Sequence, residues 1–213
     1  MKKYLTMKNV VIGLVVLVVA LVATRANAAD VSGYAGLKSD YIFRGINQSN
    51  GPSAFLGLDL NFESGAYVGA WAGQVDFGDD RATEEVDLFV GYAGSMGGID
   101  YDISYIDYGY RGDSSLDLEE VVVSLTFLDA FTLTHVAGLD DALDYNEISS
   151  DVFRVADISY GIAQDAGSNV MISKGFDLLG GTLSIGYVEF KADNDSGFVD
   201  EENFFAEYSR PIF

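Results

Sequence analysis

Cysteine is absent, histidine occurs once, proline twice, and 12 Lys and Arg face 33 Asp and Glu in a chain of 213 residues. Without cysteine there is no disulfide framework, thiol nucleophile, iron–sulfur cluster or thiolate zinc site. One histidine cannot build a multi-histidine metal centre. A formal charge of −21 repels phosphate backbones, so nucleic acid is excluded as a partner. Low hydrophobicity is also lacking: 49% of the residues are apolar, too many for a disordered acidic tail, so a folded body is required.

The longest apolar run is at the start. Lys2, Lys3 and Lys8 precede the unbroken stretch Val10 to Ala23, and Ala26-Asn27-Ala28 follows with small residues at both ends. The run falls short of the ~20 residues a spanning helix needs. It reads as a cleaved secretory signal peptide over 1–28, with 29–213 as one domain. Removing it takes away Lys2, Lys3, Lys8 and Arg25 and no acid, so the remaining chain is more acidic still.

Beyond the signal no helical period persists over a dozen residues. Alternation with a period of two recurs instead, in segments separated by Gly, Asp, Asn and Ser. In 54–63 Ala54, Leu56, Leu58, Leu60 and Phe62 share one face, and Gly57, Asp59, Asn61 and Glu63 the other. Val86, Leu88, Val90 and Tyr92 oppose Glu85, Asp87, Phe89 and Gly91. Val121, Val123, Leu125 and Phe127 oppose Glu120, Val122, Ser124 and Thr126. Tyr67, Trp71, Val75 and Phe77, then Tyr101, Ile103 and Tyr105, then Leu183, Ile185 and Tyr187 form further apolar sets.

A soluble sandwich also alternates, but its strands usually run five or six residues. These segments match the ~9–11 that a tilted strand needs to cross a bilayer, and Tyr and Phe gather near their ends as in interfacial girdles. Short turns at Ser64-Gly65, 94–98 and 128–130 alternate with longer polar or acidic connections at 47–52, 78–84, 110–115, 139–151 and 192–202. The expected fold is all-β: a closed antiparallel transmembrane β-barrel with short periplasmic turns and longer acidic extracellular loops. Closure is needed because lipid leaves an open sheet edge unpaired. Eleven segments can be drawn, beginning with 31–46 and including 151–162 and 169–178. Bacterial single-chain barrels have even counts, so ten or twelve strands are expected. The terminal aromatic, Phe213, is of the kind the outer-membrane assembly machinery recognises.

Ser39-Asp40-Tyr41-Ile42-Phe43-Arg44-Gly45-Ile46-Asn47-Gln48-Ser49, followed by Gly51-Pro52, resembles the N-terminal signature of the bacterial proteins grouped as Gcw_chp, or TorF-family porins. The likeness continues through 63–72 and more loosely through 86–108. It implies a barrel in the Gram-negative outer membrane, in contact with lipid and lipopolysaccharide, with a channel role for small solutes or ions. No cofactor is expected.

If the apolar faces meet lipid, the opposite faces line the lumen. Asp40 and Arg44 are expected to project inward together from the first strand, because an arginine on the lipid face costs ~2–4 kcal/mol near the midplane. The other lumen candidates are Asp59, Glu63, Asp76, Glu85, Asp87, Asp102 and Glu120. Such a lumen would prefer cations by electrostatic focusing. The alternative is a closed barrel whose acidic loops, among them Asp79-Asp80 and Asp140-Asp141, bind lipopolysaccharide, divalent ions or surface partners. Asp193-Asn194-Asp195-Ser196-Gly197 has oxygen ligands at alternate positions, but its glycine comes a residue early for an EF-hand, and it reads as a solvated loop. Arg111-Gly112-Asp113 reads as turn chemistry. His135 has no nucleophile motif beside it, so no catalytic residue and no metal site are assigned.

Overall fold

A computed structural model describes residues 29–78, 82–139, 142–152 and 155–213. The signal-peptide reading of 1–28 and the loop pairs Asp79-Asp80 and Asp140-Asp141 lie outside the described residues.

The strands are β1 (Ala29–Lys38), β2 (Ile42–Phe43), β3 (Ile46–Asn47), β4 (Ser53–Phe62), β5 (Ala66–Gln74), β6 (Glu84–Met96), β7 (Ile99–Arg111), β8 (Leu118–Phe127), β9 (Phe131–Leu139), β10 (Tyr145–Val152), β11 (Ala156–Ala163), β12 (Gly167–Leu178), β13 (Gly181–Ala192) and β14 (Glu201–Pro211). Twelve of them close a barrel in the order β1-β4-β5-β6-β7-β8-β9-β10-β11-β12-β13-β14, and β14 returns to β1. Every wall pairing is antiparallel. The remaining two strands, β2 and β3, form a hairpin of their own.

Both ends of the described chain lie with the tight turns. Met96 pairs with Ile99 across Gly97 and Gly98, both at positive φ, which is the two-residue turn whose twist suits a hairpin. At the opposite end the connections are 39–52, 75–83, 112–117, 140–144, 164–166 and 193–200. The two ends are called here the turn end and the loop end.

Alternation sorts the wall residues as the pattern requires. On β4, Ser53, Phe55 and Gly57 are buried while Ala54, Leu56 and Leu58 are exposed on the outer face. Leu88, Leu133, Ile148, Ile162, Ile172 and Ile185 continue that outer apolar surface around the barrel. The register carries the inward set from Asp59 to Gly69 to Phe89, then through Ile106 to Glu120 and Gly138.

The structure corrects four expectations. First, the opening segment 31–46 is not one strand: β1 stops at Lys38, and the chain turns into the lumen. Second, the strand hidden by the odd count is β10, drawn from sequence inside the loop 139–151. Its outward positions Asn146, Ile148 and Ser150 hold one large apolar residue among polar ones, so the alternation fades. Third, the segment 151–162 takes in the end of β10 and most of β11 rather than one strand. Fourth, Tyr67 and Trp71 face inward, because Tyr67 pairs with inward Asn61 and Trp71 with inward Gly57. The outward positions of β5 are the small Val68, Ala70 and Ala72. Val75 and Phe77 lie beyond the end of β5, where Val75 is buried against Tyr41, Tyr108 and Tyr110 and Phe77 packs beside it.

That buried cluster sits inside the barrel at the loop end. Around it, aromatic rings lie flat over glycines on neighbouring strands, as Tyr34 does over Gly57 and Phe55 over Gly36. A Cβ at Gly57 would collide with the Tyr34 ring. Gly57→Val is therefore expected to destabilise the barrel by about 1–3 kcal/mol through overpacking. Denaturant unfolding of the refolded protein, followed by the fluorescence of Trp71, measures this.

Candidate functional site

The chain between β1 and β4 folds back into the lumen as a small hairpin. Ile42 pairs with Asn47 and Phe43 with Ile46 across Arg44 (φ 51°) and Gly45 (φ 90°), both left-handed as a two-residue hairpin turn demands. Gly45 abuts Asn169 on β12 and Phe190 on β13, where a side chain would not fit. The base is tied off locally. The Gln48 N–H donates to the Tyr41 carbonyl (2.7 Å), Tyr41 N–H to Ser49 Oγ (2.8 Å), and Ser49 Oγ to the Gly51 carbonyl (2.7 Å). The Asn47 N–H donates to Glu201 Oε2 on β14 at 2.9 Å.

The strongest anchor lies at the tip. Arg44 Nη1 and Nη2 donate to Glu120 Oε1 and Oε2 on β8, each at 2.7 Å. This fork-to-fork geometry carries both charge and direction. The guanidinium also lies over the Phe43 and Tyr145 rings at 4.5 and 4.6 Å, and the Tyr108 hydroxyl donates to Glu120 Oε2 at 3.0 Å. The Glu120 side chain is only 2% exposed, and this arginine is its charged partner.

A second interior cation is equally enclosed. Lys38 Nζ lies 4.5, 4.8 and 5.4 Å from the ring centroids of Tyr41, Phe55 and Trp71 and 3.4 Å from Glu207. Among the described residues, Lys38 and Arg44 are the only cations facing the interior, and both are paired. The carboxylates are more numerous. Glu85 and Asp87 are buried on β6, directly across from Tyr110 and Tyr108 on β7. Both Glu85 oxygens and Asp87 Oδ1 lack a hydrogen-bond partner. Asp102 accepts from the Tyr67 hydroxyl at 2.9 and 3.0 Å.

Of the residues named from sequence, Asp59, Glu85, Asp87, Asp102 and Glu120 face the interior from wall strands, and Arg44 reaches it from the hairpin. Asp40 does not project beside Arg44: it lies in the bend after β1, where its Oδ1 accepts from Asn47 Nδ2 at 3.3 Å. Arg44 is instead matched to a carboxylate 76 residues away. Glu63 is exposed in the turn after β4, and Asp76 is exposed past the end of β5, accepting from the Gly78 N–H at 2.7 Å. For both, alternation was extended beyond the strand that sustains it. Lys38, Glu207 and the inner face of β10 were missed.

His135 stands on the outer face, with Nδ1 2.9 Å from Asn146 Oδ1. The surrounding depression of about 380 Å³ is walled mainly by Val123, Leu125, Leu133, Ile148, Tyr160 and Ile162. No group of three metal-binding side chains is assembled among the described residues. In the loop 193–200, Asp200 accepts from the Ala192 N–H (3.0 Å) and Lys191 Nζ (3.2 Å). The backbone bond first, and the lysine second, hold its carboxyl below the usual aspartate range.

A closed antiparallel barrel with an internal hairpin is thus the class of protein defined here. The family model described as a bacterial protein of unknown function, Gcw_chp, matches residues 22–200, and the chain belongs to that family. No curated protein matches it. Among solved structures it is similar to a triple mutant of the Rh. blastica porin, at 12% identity and a TM-score of 0.36, covering 87% of this chain and 100% of that one. It is also similar to an outer membrane channel from Pseudomonas putida F1, at 13% identity and a TM-score of 0.32, covering 85% and 95%.

Two outcomes are expected. Arg44→Ala leaves Glu120 buried and unpaired and lowers stability by about 3–5 kcal/mol. The double variant Arg44→Ala/Glu120→Ala recovers a large part of that loss, measured by denaturant unfolding. For Asp200, a lowered pKa means that the clasp is present above the ordinary aspartate value and is lost as the pH falls through the lowered one. The Ala192 amide resonance should therefore titrate with a midpoint below that of an ordinary aspartate.

Proposed function

We propose that this protein is an outer-membrane passive channel for small solutes, with a preference for cations. In this reading residues 1–28 direct export and are removed, the outer apolar face meets lipid, the turn end faces the periplasm, and the loop end faces outward. One observation carries it: the barrel is apolar outside and acidic inside, and among the described residues the two inward cations are each already neutralised by a carboxylate. The residual charge of the lumen is therefore negative. Low-dielectric walls focus such a field, concentrating cations and excluding anions.

The hairpin favours a second reading. Its packing with Tyr41, Tyr108 and Tyr110 fills part of the loop end, and a small barrel filled by its own side chains conducts little. The protein would then be a closed scaffold whose acidic loops engage lipopolysaccharide or divalent ions.

Planar-bilayer recording of the refolded mature protein under a KCl gradient separates the two. The channel reading expects discrete conductance steps with a cation-selective reversal potential. Asp59→Asn with Asp102→Asn should move that potential toward zero. An anion-selective reversal would overturn the lumen electrostatics, and silence from folded, inserted protein would leave the closed scaffold.

A further inference from the structure

Below the hairpin, toward the turn end, the lumen opens into a cavity of about 390 Å³ along the inner faces of β8 to β12. Its volume is within the range of small-molecule sites. The wall of β10 and β11 is a polar ladder set by register. Asp151 stands directly opposite Asp157, Ser149 opposite Ser159, and Glu147 opposite Gly161. Glu147, Ser149, Asp151, Asp157 and Ser159 line the cavity, with Met171 of β12 beyond Ser159. The ladder ends at Tyr145, whose hydroxyl donates to Glu147 Oε2 at 2.8 Å and whose ring covers Arg44.

Two features are unexplained by the barrel alone. Like charges directly opposite on neighbouring strands oppose pairing, and no lysine or arginine pairs with Asp151 or Asp157 among the described residues. Next to them Ser159 is only 3% exposed, and its Oγ has no hydrogen-bond partner. A buried hydroxyl without a partner is costly. Among the described residues, the wall thus presents carboxylates and hydroxyls with no cationic partner. A directly coordinated divalent cation does not suit it, since such ions require six or more oxygen ligands and no three metal-binding side chains converge among the described residues.

We infer that this cavity is a binding site for small aliphatic amines, whose ammonium N–H groups donate to Asp151, Asp157 and Glu147 while Ser159 takes a further hydrogen bond. The inference rests on the reading of the lumen as open to solutes, and its test separates the two. The probe is 1,4-diaminobutane, titrated by calorimetry into the full mature protein folded in detergent micelles. Saturable binding is expected, weakened at least tenfold in Asp151→Asn/Asp157→Asn and a few-fold in Ser159→Ala. It should be unchanged in Asp177→Asn, an inward acid at the turn end outside the cavity. The aspartate substitutions relieve a like-charge pair, so folding is retained, as circular dichroism would verify. Binding unaffected by the double variant would overturn the site. So would displacement of the diamine at matched ionic strength as readily by tetramethylammonium, which has no N–H donor, as by another primary amine. Conductance without saturable diamine binding would overturn the site and leave the channel, whereas binding without conductance would support the site and overturn the channel.

Discussion

A sheet that closes on itself has no edge, and everything else in this molecule follows from that constraint. β1 pairs with β4 along its length and with β14 from Tyr34 to Lys38, so the sheet returns on itself. Closure also fixes orientation, because one residue of slip would send every side chain to the opposite surface. The outer Leu and Ile residues and the inner carboxylates are thus consequences of one register propagated around twelve strands.

Within that shell the hairpin solves a problem of volume. The inward positions of β4, β5 and β6 include glycines that leave room for rings, and Tyr41 and Phe43 of the hairpin pack into the space with Trp71, Tyr108 and Tyr110. The tip carries a charge into this interior and meets Glu120 there. Polar groups and aromatic surface are therefore interleaved across the barrel, and free carboxylates remain on the walls the hairpin does not reach.

The wall was largely legible from sequence because alternation is a direct image of two different surroundings. Asp59, Glu85, Asp87, Asp102 and Glu120 stand on the face that this alternation turns inward. Asp40, Glu63 and Asp76 were misplaced because the same two-residue rhythm runs past strand ends, where nothing enforces it. β10 was lost because Asn146 and Ser150 mute its outer face. The partner of Arg44 was not legible at all: a pairing over 76 residues is written in the closure of the barrel and in no local pattern. The segment that carries the family likeness, Ser39 to Pro52, proves to be the one that leaves the wall.

The attachments of that hairpin also span the chain. Its own ladder is local, but Arg44 needs β8, Gly45 needs β12 and β13, and Asn47 needs β14. Those strands are far apart in sequence, so each contact closes a long loop of chain. The hairpin therefore has all its anchors only where β8, β12, β13 and β14 are in place, and through them it ties the first part of the chain to the last.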